Sequence, residues 1–264
     1  MQELTHLSLF TGIGGIDLAA EWAGFRTVAQ VEINPFCRRV LAKHWPDVPR
    51  LGDIRDVDGA TYAGVTLVSG GFPCQPFSHM GQQRGTADHR HLWPEMLRII
   101  RDARPAWVCG ENVIGFLGMA FDLVAADLEG EGYAVQAFDI PASGVGAYHH
   151  RRRCFVLAHT EGVQLQHQPH TRLDAARHSG TRAVPHQATV LAVGDTEAAR
   201  RDAWAVEPGI CRVADGLPGR MDRLRALGNA VVPQQVYPIL RAIAATMEAA
   251  RTPREAGCTD RRRR

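Results

Sequence analysis

The stretch from Thr5 to Glu32 constrains the fold most. Thr5 to Phe10 alternates and is β-prone, which reads as a first strand. It runs into Thr11-Gly12-Ile13-Gly14-Gly15, then a helical pattern from Ile16 to Gly24, then a second strand from Thr27 to Val31 that ends in Glu32. Strand, glycine turn and helix open a nucleotide-binding α/β unit. Glycines let a ligand approach the backbone closely, and a helix N-terminus favours negative groups. The dinucleotide pattern Gly-x-Gly-x-x-Gly is incomplete, because Asp17 occupies its third glycine position. An acid at the tip of the second strand suits bidentate bonding to ribose hydroxyls, so turn and acid together favour an adenosine-containing cofactor.

The same alternation continues down the chain. A helix is expected from Pro35 to Trp45, with its proline in the first turn. Gly52-Asp53-Ile54-Arg55 forms a short loop, where Asp53 alone reads as a turn or helix cap. Val65-Thr66-Leu67-Val68 reads as a buried strand, and Gly70-Gly71-Phe72-Pro73-Cys74-Gln75-Pro76-Phe77-Ser78 follows it. Two glycines break that strand and two prolines stiffen the turn around Cys74. A thiol displayed on a rigid loop at a strand end is placed to react rather than to pack. Residues 79–91 are too polar for a core element and too long for a tight turn, as mobile lids and binding loops often are. Their His79, His89 and His91 lack a convincing ligand set, so no metal is expected.

Leu92 to Asp102 has the apolar stripe of a core helix, and Ala106 to Cys109 reads as the next strand, delivering Glu111-Asn112-Val113. The residues alone leave two roles open for Glu111: an acid at the same sheet edge as Cys74, or a cap for a helix from Phe116 to Glu129. Tyr133 to Ile140 is another strand. Arg151-Arg152-Arg153 leads into Cys154 to Ala158, and strand periodicity would point Arg151 and Arg153 the same way, toward an anion or a polar acceptor. Periodicity fades from 159 to 217, a stretch rich in His, Gln, Thr and Arg. Leu224 to Gln234 restores order before a helix from about Tyr237 to Ala250.

The chain has 264 residues, 45% of them hydrophobic, enough for one large domain with a modest insertion and too many for a disordered chain. No stretch approaches the roughly 20 apolar residues of a membrane span, and no secretory signal is read at the N-terminus. Six cysteines without a Cys-x-x-Cys pair argue against a zinc ribbon or a disulfide framework and fit a reducing cytoplasm. Net charge is only +2, but positive charge concentrates between about 149 and 186 and again at Arg261 to Arg264, as suits a phosphate backbone.

Gly-Phe-Pro-Cys-Gln-Pro-Phe-Ser resembles the nucleophile loop of the DNA (cytosine-5)-methyltransferases, and the other motifs of that family follow in its order. The resemblance covers nearly the whole chain apart from the 159–217 insert and the tail. It implies that Phe10, Gly12, Gly14 and Gly15 bind S-adenosylmethionine, that Glu32 holds the ribose, that Asp53 meets the adenine amino group and Ile54 its face, and that Pro73, Asn229 and Val231 complete the cofactor site. Cys74, Glu111, Arg151 and Arg153 are the implied catalytic residues. The family motif Gln-x-Arg-x-Arg carries His149 here at its first position.

The implied fold is α/β, a Rossmann-like S-adenosylmethionine-dependent methyltransferase sheet with helices on both faces and a small irregular target-recognition insert. The implied organisation is a catalytic domain over 1–158, target recognition over 159–217, a segment over 218–250 returning to the catalytic domain, and a basic tail over 251–264. The implied partner is double-stranded DNA, with a cognate restriction endonuclease as a functional companion to a monomeric enzyme. A tRNA cytosine methyltransferase would carry a Cys-Phe-Thr tripeptide, which this chain lacks. A silent DNA-binding relative would not need the four polar residues, and a nicotinamide oxidoreductase would leave the Pro-Cys-Gln loop unexplained.

Overall fold

The computed structural model describes residues 3–73, 92–160 and 220–251. Cys74, the histidine-bearing loop, the 159–217 insert beyond Thr160 and the arginine tail lie outside these described residues. The strands are β1 (Thr5–Leu9), β2 (Arg26–Val31), β3 (Arg50–Leu51), β4 (Leu67–Gly70), β5 (Trp107–Val113), β6 (Tyr133–Ile140) and β7 (Arg153–Thr160). The helices are α1 (Gly15–Trp22), α2 (Pro35–His44), α3 (Trp93–Ala103), α4 (Phe116–Met119), α5 (Phe121–Gly130), α6 (Arg220–Asn229) and α7 (Pro233–Arg251).

Among the described residues the strands form one sheet of order β3-β2-β1-β4-β5-β7-β6. β3, β2, β1, β4 and β5 run parallel, while β7 is antiparallel to both β5 and β6. The strand order reverses direction between β1 and β4, and a crevice opens there at the strands' carboxyl ends.

Strand alternation sends side chains to two cores. On one face Leu7, Leu9, Val31, Val68 and Val108 pack against Met96, Ile99 and Ile100 of α3 and Val124 and Leu128 of α5. On the other, Leu67, Trp107, Phe155 and Leu157 pack against Ala19 and Ala20 of α1 and Val236, Ile239, Leu240 and Ile243 of α7. Helices therefore cover both faces, as expected.

Several boundaries move for identifiable reasons. β5 does not stop at Cys109; it continues through Glu111 to Val113, because β7 pairs with it as far as Val113 opposite Arg153. The expected helix from 116 to 129 is two pieces, broken at Ala120, whose backbone leaves the helical region. β4 lies two residues later than read, since Leu67 to Gly70 are the residues in register with both β1 and β5. The last helix begins at Pro233 and runs through Pro238, four residues before its expected start. Leu224 to Asn229 is helical, as the end of α6.

Candidate active site

The crevice is a cavity of about 740 Å³ lined by Phe10, Gly12, Glu32, Asp53, Ile54, Pro73, Glu111, Arg153, Asn229 and Val231, residues from almost the full length of the described chain. Its size lies within the ~300–1,000 Å³ usual for small-molecule sites. Gly14 and Gly15 stand behind it and line a neighbouring cavity of about 540 Å³, which also takes in His149 and Arg151.

One wall is built from β1, β2 and β3. Gly14 has φ 88°, and a Cβ there would sit 2.4 Å from the Trp45 ring, so only glycine makes this turn. Phe10 also lies in the left-handed region, at φ 51°, a strained conformation at the mouth of the site. Glu32 directly follows β2, with each carboxylate oxygen held by one backbone N–H, Gly12 N at 2.7 Å and Asn34 N at 2.7 Å. Burial pushes its pKa above the usual range, and those two N–H groups oppose the shift. Asp53 accepts the Arg55 backbone N–H at 3.0 Å and caps the turn that Ile54 begins, and Arg55 also grips both its oxygens through Nε at 3.0 Å and Nη2 at 2.5 Å. The Arg55 side chain holds the Asp53 carboxyl below its ordinary pKa. Ile54 is buried beneath.

Behind this wall, Asp17 is fully buried and accepts Ser8 Oγ at 2.8 Å and Gln30 Nε2 at 2.9 Å. Burial pushes its pKa up to about 6. The residue that breaks the dinucleotide pattern thus ties α1 to β1 and β2.

The other wall is built from β4, β5 and β7. Glu111 is 9% exposed, and Arg153 Nε lies 2.8 Å from its Oε1. Burial raises the pKa of Glu111, while Arg153 and Arg151 oppose the rise electrostatically. A Cβ on Gly71 would come within 2.9 Å of Glu111 Oε2, so the glycine that directly follows β4 leaves room for the carboxylate. Glu111 does not cap the following helix: Gly115 precedes α4, and no side chain caps it. Asn112 Nδ2 donates to Phe72 O at 3.1 Å, and the Phe72 ring packs against Trp93 and Phe116. Phe72, which leads through Pro73 into Cys74, is thereby fixed by both its carbonyl and its ring.

Cys37, Cys109 and Cys154 are buried, and burial pushes their thiols up to about 11, 12 and 12. They suit packing rather than attack. Among the described residues no group of His, Cys, Asp and Glu could hold a metal.

Arg151 and Arg153 do not lie along one strand face. β7 starts at Arg153, and Arg151 precedes it with φ 22°. Arg151 Nη2 instead donates to Gly228 O at 2.7 Å and Ala230 O at 2.5 Å. Asn34, Arg55, Asn112 and Gln235 were not singled out from sequence. Asn34 and Asn112 each neighbour a motif acid, which was the available signal; Gln235 gave none.

The family model of the C-5 cytosine-specific DNA methylases matches residues 4–200. Over 121 residues the chain is 40% identical to the type II methyltransferase M.NgoMIV of Neisseria gonorrhoeae, covering 46% of this chain and 39% of that protein. Over 162 residues it is 33% identical to the type II methyltransferase M.MspI of Moraxella, covering 59% of this chain and 38% of that one. The crystal structure of a Spodoptera frugiperda DNMT2 mutant aligns with TM-score 0.53 at 25% identity, over 65% of this chain and 53% of that one. The chain thus spans about two fifths of these two curated relatives and half of the solved structure.

Proposed function

The chain belongs to the C-5 cytosine-specific DNA methylases, and from that membership we propose that it transfers a methyl group from S-adenosylmethionine to C5 of a cytosine turned out of double-stranded DNA. One observation carries the reading. A single cavity joins a wall suited to an adenosine, at Glu32, Asp53 and Ile54, to a wall bearing Glu111 and Arg153 beside the stem of the Cys74 loop.

The first wall fits the cofactor. Each Glu32 oxygen is fixed by one N–H and keeps a lone pair for a ribose hydroxyl, and the backbone after Phe10 is bare at Gly12. Asp53, clamped by Arg55 and kept ionised, is an acceptor for an exocyclic amine. Asn229 and Val231 close the site from the C-terminal segment. S-adenosylmethionine bound there supplies an electrophilic methyl on a cationic sulfur.

The second wall fits the base. C5 of cytosine is a poor nucleophile until a thiolate adds at C6, which is the role of Cys74. The displaced electrons move toward N3 and O2. Arg153 donates to O2 and Glu111, protonated, donates to N3. Each side chain is placed to release the other: once O2 draws Arg153 away, Glu111 loses its nearest cation, and burial then favours the proton. After transfer a base, for which water can serve, takes the C5 proton, the C5–C6 double bond re-forms as the Cys74 thiolate leaves C6, and N3 returns its proton to Glu111. The base cannot reach such a cavity while stacked, so it must flip.

The stretch after Thr160 falls where the family carries target recognition, and we assign base-edge reading to it. Double-stranded DNA is the macromolecular partner of a monomeric, cytoplasmic enzyme, with a cognate endonuclease as its functional companion. No described helix is long and apolar enough to cross a membrane. Bisulfite sequencing of DNA from cells expressing the chain tests the reading: protected cytosines in a fixed context are expected with the natural chain and none with Cys74→Ala. Protection by both would overturn it.

A further inference from the structure

The two arginines of the 151–153 run have parted company, and the arrangement around Arg151 is reciprocal. Its Nη2 donates to the carbonyls of Gly228 and Ala230, at the end of α6. In return Gln235, fully buried near the start of α7, donates Nε2 to Arg151 O at 2.9 Å and to Ile140 O at 2.6 Å. The last carbonyls of a helix have no partner within it and attract cations. Arg151 meets that need from the far side of the insert, and its φ of 22° is kept only because these bonds over-determine it. The bracketed residue is Asn229, and Val231 follows it, with its carbonyl where a Cβ on Gly15 would lie only 2.5 Å away. There is little slack at that contact.

We propose that Arg151 is a positioning residue for the cofactor rather than a group that touches the base. By closing the end of α6 it holds Asn229 and Val231 against the glycine turn and completes the cofactor wall. This rests on the reading of the cavity as an S-adenosylmethionine site. Arg153 alone then serves the base, since it pairs with Glu111 inside the main cavity while Arg151 lines the neighbouring one.

The test uses the full chain, with S-adenosylhomocysteine affinity measured by calorimetry and the rate of methyl transfer to unmethylated genomic DNA measured at saturating cofactor. Arg151→Ala should weaken cofactor affinity by about tenfold or more, as loss of a charged donor does, and lower the saturated rate by a clearly smaller factor. Both carbonyls accept from one nitrogen, so an ammonium can serve both, and Arg151→Lys should restore most of the affinity. Arg153→Lys should do the reverse, keeping affinity and losing rate.

Full affinity in Arg151→Ala would overturn the proposal whatever the rate, as would a collapsed rate at full affinity in Arg151→Lys or a lysine variant as weak in binding as the alanine one. Should Arg151→Ala fail to fold by circular dichroism, Arg151→Met, which keeps the apolar stem and removes the donors, takes its place with the same loss of affinity expected, and full affinity there would overturn the proposal. Failure of the natural chain to bind S-adenosylhomocysteine would overturn the cofactor reading itself, and this proposal with it.

Discussion

The two walls of the cavity hold their carboxylates in opposite ways. On the β1–β3 side, Glu32 and Asp53 are gripped by neighbours within a short stretch of chain or by the glycine turn. On the β4–β7 side, Glu111 is buried among non-local partners, with Gly71 leaving it space and Arg153 reaching it from an antiparallel strand. The first arrangement freezes acceptors in place, as recognition requires. The second leaves a carboxylate whose proton affinity is a contest between burial and two nearby arginines, as chemistry requires.

The sharpest break between the walls is expected at Cys74. Cys74→Ala should abolish methyl transfer while S-adenosylhomocysteine affinity, read by calorimetry, stays as in the natural chain. Glu111→Gln should lower the saturated rate by about 10²- to 10³-fold, within the range for lost acid catalysis, again with cofactor affinity kept. A fall in affinity of the same size would show that the two walls are not separable.

Behind the recognition wall, Asp17 gives the contrast a pH signature. Its folded pKa of about 6 lies above the ordinary carboxyl value of 3.8, so its contribution to stability is full below the unfolded value and is lost as pH rises through about 6. At about 1.4 kcal/mol per unit, the stability of the natural chain relative to Asp17→Asn should fall by up to about 3 kcal/mol between pH 3 and pH 8. Denaturant titrations at both pH values check this, and a pH-independent difference would remove Asp17 from the account. The smallest effect is expected at Glu32. Glu32→Gln should weaken cofactor binding by about 1.5–2 kcal/mol, as for a hydrogen bond to a charged group, and leave the saturated rate unchanged.

The sequence made the recognition wall legible because its parts are local. A strand, a glycine turn and a strand-end acid are adjacent in the chain, and their spacing states their geometry. Glu111 was legible as a candidate acid but not as a member of a strand, since β5 is prolonged only by its pairing with β7. Arg151 was misjudged for the same kind of reason. Period-two alternation assumes a strand, and the strand begins two residues later, at Arg153. What redirects Arg151 is a carbonyl pair at the end of α6, across the whole insert, and no local pattern encodes a partner so distant. Gln235 escaped notice because an isolated glutamine near a helix start carries no period and no motif.

The missing side chain of Gly15 has a consequence for synthesis. The turn it occupies is translated well before the carbonyl that presses against it, which belongs to Val231. A nascent chain that has extruded all seven described strands still has an open-sided groove where the finished protein has a closed one. The groove thus gains this edge only once the segment from Arg220 to Arg251 has been made and its last helix has packed onto α1.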